Sequence, residues 1–584
     1  MIKIVKRDKH IKQEIIDKLA KDNNTTKEVI SLLLNRGYNK NLISDYIQNN
    51  GYLEVPFNSI TNVDECVERL VSYLEDDNSE IYVFADYDAD GVNAGYIMTE
   101  VLQSVKEAIG SKCNISVYYP NRSEGYGLSL SFCKSIVEKK TKNRKLVITV
   151  DNGITKKEEA AYLKANNIEC IITDHHAPKM ESLPDCLIVD PWLHDLNDTN
   201  AKGLCGSAVA YKVAGRLLEV YGDESNFIVN FLPNAAIATI TDIMPATPEN
   251  ISIVGQGLWL IDNGYANKGI NYFKEYVNKS NITPTDIGFT LGPQINACGR
   301  MGDIHKAVDF MFGYGEIEEL YNDIVKLNDE RKTLEKSIME DVSKMSFDND
   351  LMVVMNIENL GGLGGTIASK VVDKFRKPCI LLNGTGDILH GSARSYAGLD
   401  LHELFSLAVK AGVMEDFGGH KIAAGVKVRK DKVEDLKDFL NKTIAKYFTL
   451  LAEETDVNQE QIIEVDDIIQ LSNINKKTVE PYNDLLCFGD LKEPIFAIKN
   501  LEVISYNSSS NNPNHLCLNV CDSSIKKIKN RYGKTVGKEL WMWNRMNDYK
   551  LIGEPNKVHL LGKIIPDFRN PKYYTFDVIE IIPA

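Results

Sequence analysis

At 584 residues, with a formal net charge of −15, 43% hydrophobic and 26% charged residues, the chain has the make-up of a globular protein too long for one core. About three or four domains are expected, and the acidic balance excludes a protein that coats nucleic acid electrostatically, though not one with a local basic channel. No apolar run approaches the ~20 residues of a membrane span and MIKIVKRDKH lacks the apolar core of a secretory signal, so a cytoplasmic protein without membrane association is expected.

Residues 1–60 read as a polar helical segment, with VISLLLNRGY at 29–38 supplying its apolar face. From about 80 to 245 short apolar runs alternate with amphipathic stretches, the pattern of a parallel α/β sheet. Strands are expected at 81–85, 114–119, 146–150, 169–173 and 186–189. Four of them end on polar side chains: Asp86 after IYVFA, Asp151 after LVITV, Asp174-His175-His176 after CIIT, and Asp190 after LIV. Ligands of open α/β sheets bind beyond the carboxyl ends of strands, where these groups can meet in one crevice.

Singly, each has a plainer explanation as a helix N-cap, a turn or an exposed histidine pair. Their recurrence, with Asp88 and Asp90 beside Asp86, joins hard oxygen and imidazole donors in a set suited to Mg2+ or Mn2+. PNAAIATITDIMP at 233–245 is a largely apolar helical stretch, so Asp242 needs a partner or a solvent-facing position.

A charged helical pattern with apolar positions at Leu320, Ile324, Leu327 and Leu334 spans 311–345. A second lobe over 346–450 begins with LMVVMNIE and a glycine-rich turn, GGLGGT at 361–366, which suits anion contact but has neither Walker nor dinucleotide spacing; neither ATP nor NAD is expected. Over 451–584, β-type runs separated by polar turns suit a small barrel. SSIKKIKNRYGK at 523–534 places cations near Trp541 and Trp543, which suits single-strand contact or a basic loop beside buried tryptophans. Eleven cysteines lie scattered without CxxC spacing, as free thiols of a reducing compartment do.

DYDADG at 86–91, VDNGI at 150–154, TDHHAP at 173–178 and ATITDIMP at 238–245 resemble the four metal-binding motifs of the DHH phosphoesterase superfamily. PNRSEGYGL at 120–128, LCGSAVAYK at 204–212 and GPQINACGRMGD at 292–303 are similar to the RecJ branch of single-strand-specific exonucleases, and HGSARS at 390–395 and FGGHKIAAG at 417–425 to its DHHA1 domain. The resemblance covers about residues 25 to 500. It departs where RecJ-like chains carry Trp-His before the second-lobe glycines and this one has Asn359-Leu360, and at Tyr82, where many DHH enzymes, though not RecJ-like ones, carry a histidine.

The resemblance implies an α/β fold: a parallel-sheet DHH domain at 61–310, a connecting helix, a smaller α/β DHHA1 domain and an OB-like β-barrel. It implies two divalent cations, one on Asp86 and Asp151, the other on Asp88, Asp151, His175 and Asp242. His176 would donate to the scissile phosphate, with Asp174 and Asp90 as orienting groups, while Arg122, Arg300, Ser392, Arg394 and His420 would bind the substrate. The implied activity is stepwise hydrolysis of single-stranded DNA from its 5′ end by a monomer that cooperates with single-strand-binding protein. The alternatives are a phosphodiesterase for short oligonucleotides or cyclic dinucleotides and, with every expected ligand intact, less favoured, a metal-free scaffold.

Overall fold

The computed structural model describes residues 2–47, 55–193, 201–222, 226–358, 360–454, 461–483, 485–510, 512–525, 528–529, 535–567 and 570–584. The chain divides into two units, Met1–Glu54 with Ile243–Gln256 and Glu460–Ala584, and Val55–Asp242 with Gly257–Gln459.

The first unit opens with a correction. Residues 2–6, expected in a helical segment, form strand β1 (Ile2–Lys6), because the β-branched Ile2, Ile4 and Val5 favour extended backbone and Ile4 is buried. The two helices that follow, Gln13–Asp22 and Lys27–Arg36, fit the helical expectation. Thr26 caps the second by accepting from Val29 N, and Gly37 ends it at φ 100°.

The second unit carries the parallel sheet. Strands β2 (Ser79–Ala85), β3 (Asn114–Tyr118), β4 (Arg144–Val150), β5 (Glu169–Thr173) and β6 (Leu187–Val189) lie within two residues of their expected bounds. They run in the order β3-β2-β4-β5-β6. All seven residues of β2 are buried, as a central strand covered on both faces requires. Tyr82, Phe84, Val147 and Ile172 face a core shared with Phe132 and Leu163, and the helices Ala89–Ile109 and Gly206–Tyr221 lie against the sheet as well. From β2 the chain steps to β3 on one side and then crosses to β4 on the other, so the topological switch point falls between β2 and β4.

Helix Ile317–Val342 then leads to a five-stranded sheet of β7 (Val353–Asn356), β8 (Cys379–Asn383), β9 (Ile388–Arg394), β10 (Asp416–Gly419) and β11 (Ala423–Arg429), ordered β10-β11-β9-β8-β7. Its two faces bury separate clusters, one around Phe405 and Leu440, the other around Leu363 and Val371.

In the first unit again, β12 (Gln461–Val465) pairs in parallel with β1. The Asp466 carboxylate that follows accepts from Arg36 Nε at 3.0 Å and Nη2 at 2.7 Å, from Arg7 at 3.0 Å and from Ile495 N at 2.8 Å, tying both chain ends together. β13 (Asp467–Ile469), β14 (Phe496–Ser508) and β15 (Leu516–Cys521) precede a short ladder of β16 (Ile528–Lys529) and β17 (Thr535–Val536). With β18 (Lys538–Met542), β19 (Lys557–Asp567) and β20 (Asn570–Pro583) they build a six-stranded sheet ordered β18-β15-β14-β19-β20, β13 beside β14, curled until β18 meets β20. Most of the basic stretch 523–534 lies outside the described residues, as does Asn359; Trp543 is 47% exposed against His515.

Candidate metal centre

Ala85 pairs with Val150, Val150 with Thr173, and Thr173 with Val189. The next residue on each strand is therefore one of a row, Asp86, Asp151, Asp174 and Asp190, across four adjacent strand ends. All four are buried.

Backbone geometry then gathers further carboxylates at the switch point. Asp151 takes the left-handed conformation at φ 62°, which turns its side chain off the strand direction. Gly206, at the start of helix Gly206–Tyr221, lets it approach closely, for a Cβ there would fall 2.4 Å from Asp151 Cβ. Asp88 caps the Ala89–Ile109 helix, accepting from Gly91 N at 3.0 Å. Asp90 accepts from Gly206 N and Ser207 N, each at 2.7 Å, and so fixes one helix start against the other. Asp242 ends helix Phe227–Thr241.

His175 reaches into this group with Nε2 3.1 Å from Asp151 Oδ1, 3.7 Å from Asp90 Oδ2 and 3.7 Å from Asp242 Oδ2. Ligand atoms of Asp86, Asp88 and Asp151 lie within 4.8 Å of one another, as do those of Asp90, His175 and Asp242, and those of Asp151, His175 and His176. Asp88 thus sits with Asp86 and Asp151. Tyr82 is turned away, bonded to Glu80 with Lys139 over its ring.

Burial first, and then the neighbouring carboxylates, push Asp86, Asp151 and Asp242 well above the ordinary carboxylate range. So many buried acids cannot ionise together without a compensating cation. Asp86 Oδ1 and Asp151 Oδ1 are moreover buried without a hydrogen-bond partner among the described residues. Unpaired hard oxygens beside one imidazole fit a Mn2+ or Mg2+ donor set.

Asp174 plays a different part, accepting from Ile154 N at 2.9 Å and from His175 N and His176 Nδ1, each at 2.8 Å. Burial would lift its pKa, but the His176 bond and the nearby imidazoles hold it below the ordinary value. His176 in turn is raised to about 9, the Asp174 bond and surrounding carboxylates outweighing burial. Tyr126 Oη lies 3.2 Å from His176 Nε2, and Trp192 Nε1 donates to His175 O at 2.9 Å. Sequence reasoning missed both, although Tyr126 stands inside PNRSEGYGL.

A basic group adjoins the acidic one. A Cβ on Gly362 would fall 2.8 Å from Arg122 Cδ and from Arg300 Cα, one on Gly365 2.8 Å from Arg394 Nη2, and one on Gly364 3.4 Å from Ser392 Oγ. The glycine-rich turn therefore lies against four of the five expected substrate-binding residues at once, touching the side chains of Arg122, Ser392 and Arg394 and the backbone of Arg300. Arg122 also stacks on Tyr87, 5.2 Å from its ring centre. None of the three arginines has a carboxylate at ion-pair distance among the described residues, and burial beside Arg122 and Arg331 lowers Arg300 to about 10. His420 is exposed on the β10–β11 hairpin, whose Ala423 pairs with Arg394.

Two further groups escaped the sequence reading. Asn296 Oδ1 accepts from Ala89 N at 2.8 Å and steadies the Asp86–Asp90 loop. Glu335, 2% exposed on helix Ile317–Val342, accepts from Arg331 at 2.7 Å and from Lys370 of helix Gly364–Phe375, so it ties the connecting helix to the second lobe.

Family models agree with this architecture: "DHH family, N-terminal domain" matches residues 80–239 and "DHHA1 domain" matches 355–446. The chain is 30% identical over 534 residues to the single-stranded-DNA-specific exonuclease RecJ of Bacillus subtilis, covering 88% of this chain and 64% of that one. It is 30% identical to the RecJ of Dickeya dadantii over 64% of this chain and 68% of the relative. The chain belongs to the RecJ family. A crystal structure of Thermus thermophilus RecJ in complex with Mn2+ shares the fold, with a TM-score of 0.77 at 20% identity, over 100% of this chain and 79% of that one. The chain thus spans about two thirds of the Bacillus and Dickeya proteins.

Proposed function

We propose that the protein hydrolyses single-stranded DNA stepwise from its 5′ end, releasing 5′-mononucleotides, with two divalent cations, Mn2+ or Mg2+. One observation carries this reading: buried carboxylate oxygens without a hydrogen-bond partner among the described residues lie at the switch point beside half-buried arginines that have no carboxylate at ion-pair distance, so one cleft offers a place for cations and a place for phosphate. RecJ relatives named as single-stranded-DNA-specific exonucleases support it.

Asp86, Asp88, Asp151, His175 and Asp242 would hold the pair of ions, Asp151 being common to two of the groups. Bound ions of this kind acidify a water and neutralise charge on phosphate oxygens. The protein's own side chains do the rest. His176, kept protonated by Asp174, donates to an oxygen of the scissile phosphate. Arg122, Arg300, Ser392 and Arg394 take the 5′-terminal phosphate, whose geometry the guanidinium fork matches, and His420 extends that side. Asp90 holds the helix start that abuts Asp151.

The same reading gives a monomer of the cytoplasm that acts in DNA recombination and repair beside single-strand-binding protein. No helix among the described residues is long and apolar enough to cross a membrane.

The test is long single-stranded DNA labelled at its 5′ or 3′ end, incubated with Mn2+, Mg2+ or EDTA. Immediate metal-dependent release of a 5′-labelled mononucleotide, with the 3′ label lost late, is expected. Cleavage of di- to tetranucleotides or cyclic dinucleotides alone would replace this reading with the short-substrate phosphodiesterase.

A further inference from the structure

A single exposed aromatic is ordinary on a protein surface, yet Phe289, 83% exposed, stands at an unusual place. It projects from a π-helical turn, Ile287–Leu291, whose end residues are both buried. Such turns recur at functional sites. This one lies on the end of the helix that presents Asp242: a Cβ on Gly292 would come 2.4 Å from Thr241 Cγ2, and one on Gly288 3.6 Å from Ile240 Cγ2.

From that turn helix Gly292–Met301 runs along the acidic loop. Of residues 291–300 only Pro293, Asn296 and Arg300 escape burial, and their spacing of three and four places them on one face. Asn296 meets Ala89 N at 2.8 Å, and Gly299 lies so close to Tyr87 that an added Cβ would sit 2.3 Å from its carbonyl oxygen. Read along the axis of turn and helix, Phe289 stands on the turn at one end, contacts with the metal-site loop follow at Asn296 and Gly299, and Arg300 stands at the other end. Eleven residues at 1.5 Å each put the ends roughly 16 Å apart, the length of a few nucleotides.

We propose that Phe289 is the stacking platform for a base of the incoming single strand, a few nucleotides from the phosphate held at Arg300. This role rests on the exonuclease reading above and adds a positioning residue to it. A flat hydrocarbon face suits the task because every base has a π-face, so stacking tolerates any sequence. The cleft then grips its substrate by charge at the terminus and by stacking further in, with the scissile bond between.

The experiment measures KM and kcat on 5′-phosphorylated oligonucleotides, unmodified or with one abasic residue at successive positions, for the wild type, Phe289→Ala and Phe289→Trp. An abasic residue at one position should raise the wild-type KM about tenfold, and Phe289→Ala should raise KM for the unmodified strand by a similar factor. Combined, the two should raise it no further, kcat should move less than KM, and Phe289→Trp should restore the wild-type value. Full additivity at every position, with the unmodified strand still cut, would overturn the stacking role and leave the exonuclease reading standing. A wild type that cuts no single strand would overturn both.

Discussion

Removing Glu335 tests whether the connecting helix and the second lobe are held together by a buried ionic knot. The carboxylate is 2% exposed and accepts from Arg331, itself 14% exposed, and from Lys370, 48% exposed. Truncating one member of a buried pair typically costs about 3–5 kcal/mol, because the other charge is left uncompensated. Two features pull Glu335→Ala to the lower end: Arg331 keeps Asn328 Oδ1 at 2.9 Å, and Lys370 can turn to water. The expected loss is about 3 kcal/mol, a shift of about 1 M in the urea midpoint for a slope of ~3 kcal/mol/M. Circular dichroism in urea at pH 7 measures it. Burial opposes ionisation of Glu335, but the Lys370 bond and Arg331 prevail and hold its pKa below the ordinary value. Its contribution is therefore complete above the unfolded-state pKa of about 4.3 and fades as pH falls through the lower folded value. The gap between wild type and Glu335→Gln should shrink below pH 4. A loss under about 1 kcal/mol at pH 7, or a gap that widens in acid, would refute the reasoning.

Three other substitutions probe the cleft. Asp151→Asn should abolish both nuclease activity and Mn2+ binding, the latter read by calorimetry on the otherwise folded protein; retained tight binding would remove Asp151 from the ligand set. Gly206→Ala forces a methyl group to within 2.4 Å of Asp151 Cβ, so activity should collapse while the far-ultraviolet spectrum stays native. Arg300→Met removes a charged donor to the terminal phosphate, and the preference for a 5′-phosphorylated over a 5′-hydroxyl strand should fall by about 10- to 100-fold; an unchanged preference would place the phosphate elsewhere.

The parallel sheet was legible because β2, β4 and β5 are near-continuous apolar runs, each closed by an aspartate, and such runs occur where both faces of a strand are covered. What the linear pattern lacks is register. That Asp86, Asp151, Asp174 and Asp190 form one row follows from pairings between separate strands, the most distant in sequence being Ser79–Ala85 with Arg144–Val150. β1 was misread because its five residues carry no clean alternation, and its partner Gln461–Val465 is remote in sequence. Glu335 was hidden differently. On a helix rich in acidic residues it looks solvated like Glu330 or Glu340, and only Lys370 on another helix makes it a buried group. Tyr126 and Asn296 stood within motifs already singled out, but a hydroxyl beside His176 and an amide on Ala89 N are products of the fold.

The two charged groups of the cleft explain each other. Burial raises the carboxyls of Asp86, Asp151 and Asp242 and lowers Arg300 and Arg394, so each cluster alone resists its own charged state. The protein does not pair them with one another; Asp174 and His176 neutralise each other instead, while the arginines lie against the glycine turn and Tyr87, and Arg394 donates to Ser369 Oγ and the Ala393 carbonyl. An ion pair across the cleft would satisfy both sides and close the site to cation and phosphate alike. On the proposed reading, keeping the signs apart, with Asp90, Asn296 and the glycine turn fixing the backbones that carry them, reserves each cluster for its own ligand, metal on one side and a phosphate-bearing strand on the other. The same separation accounts for the distribution of rigid contacts: Asp90 and Asn296 spend their hydrogen bonds on holding helix starts, and Asp86 Oδ1 and Asp151 Oδ1 are left without a hydrogen-bond partner among the described residues.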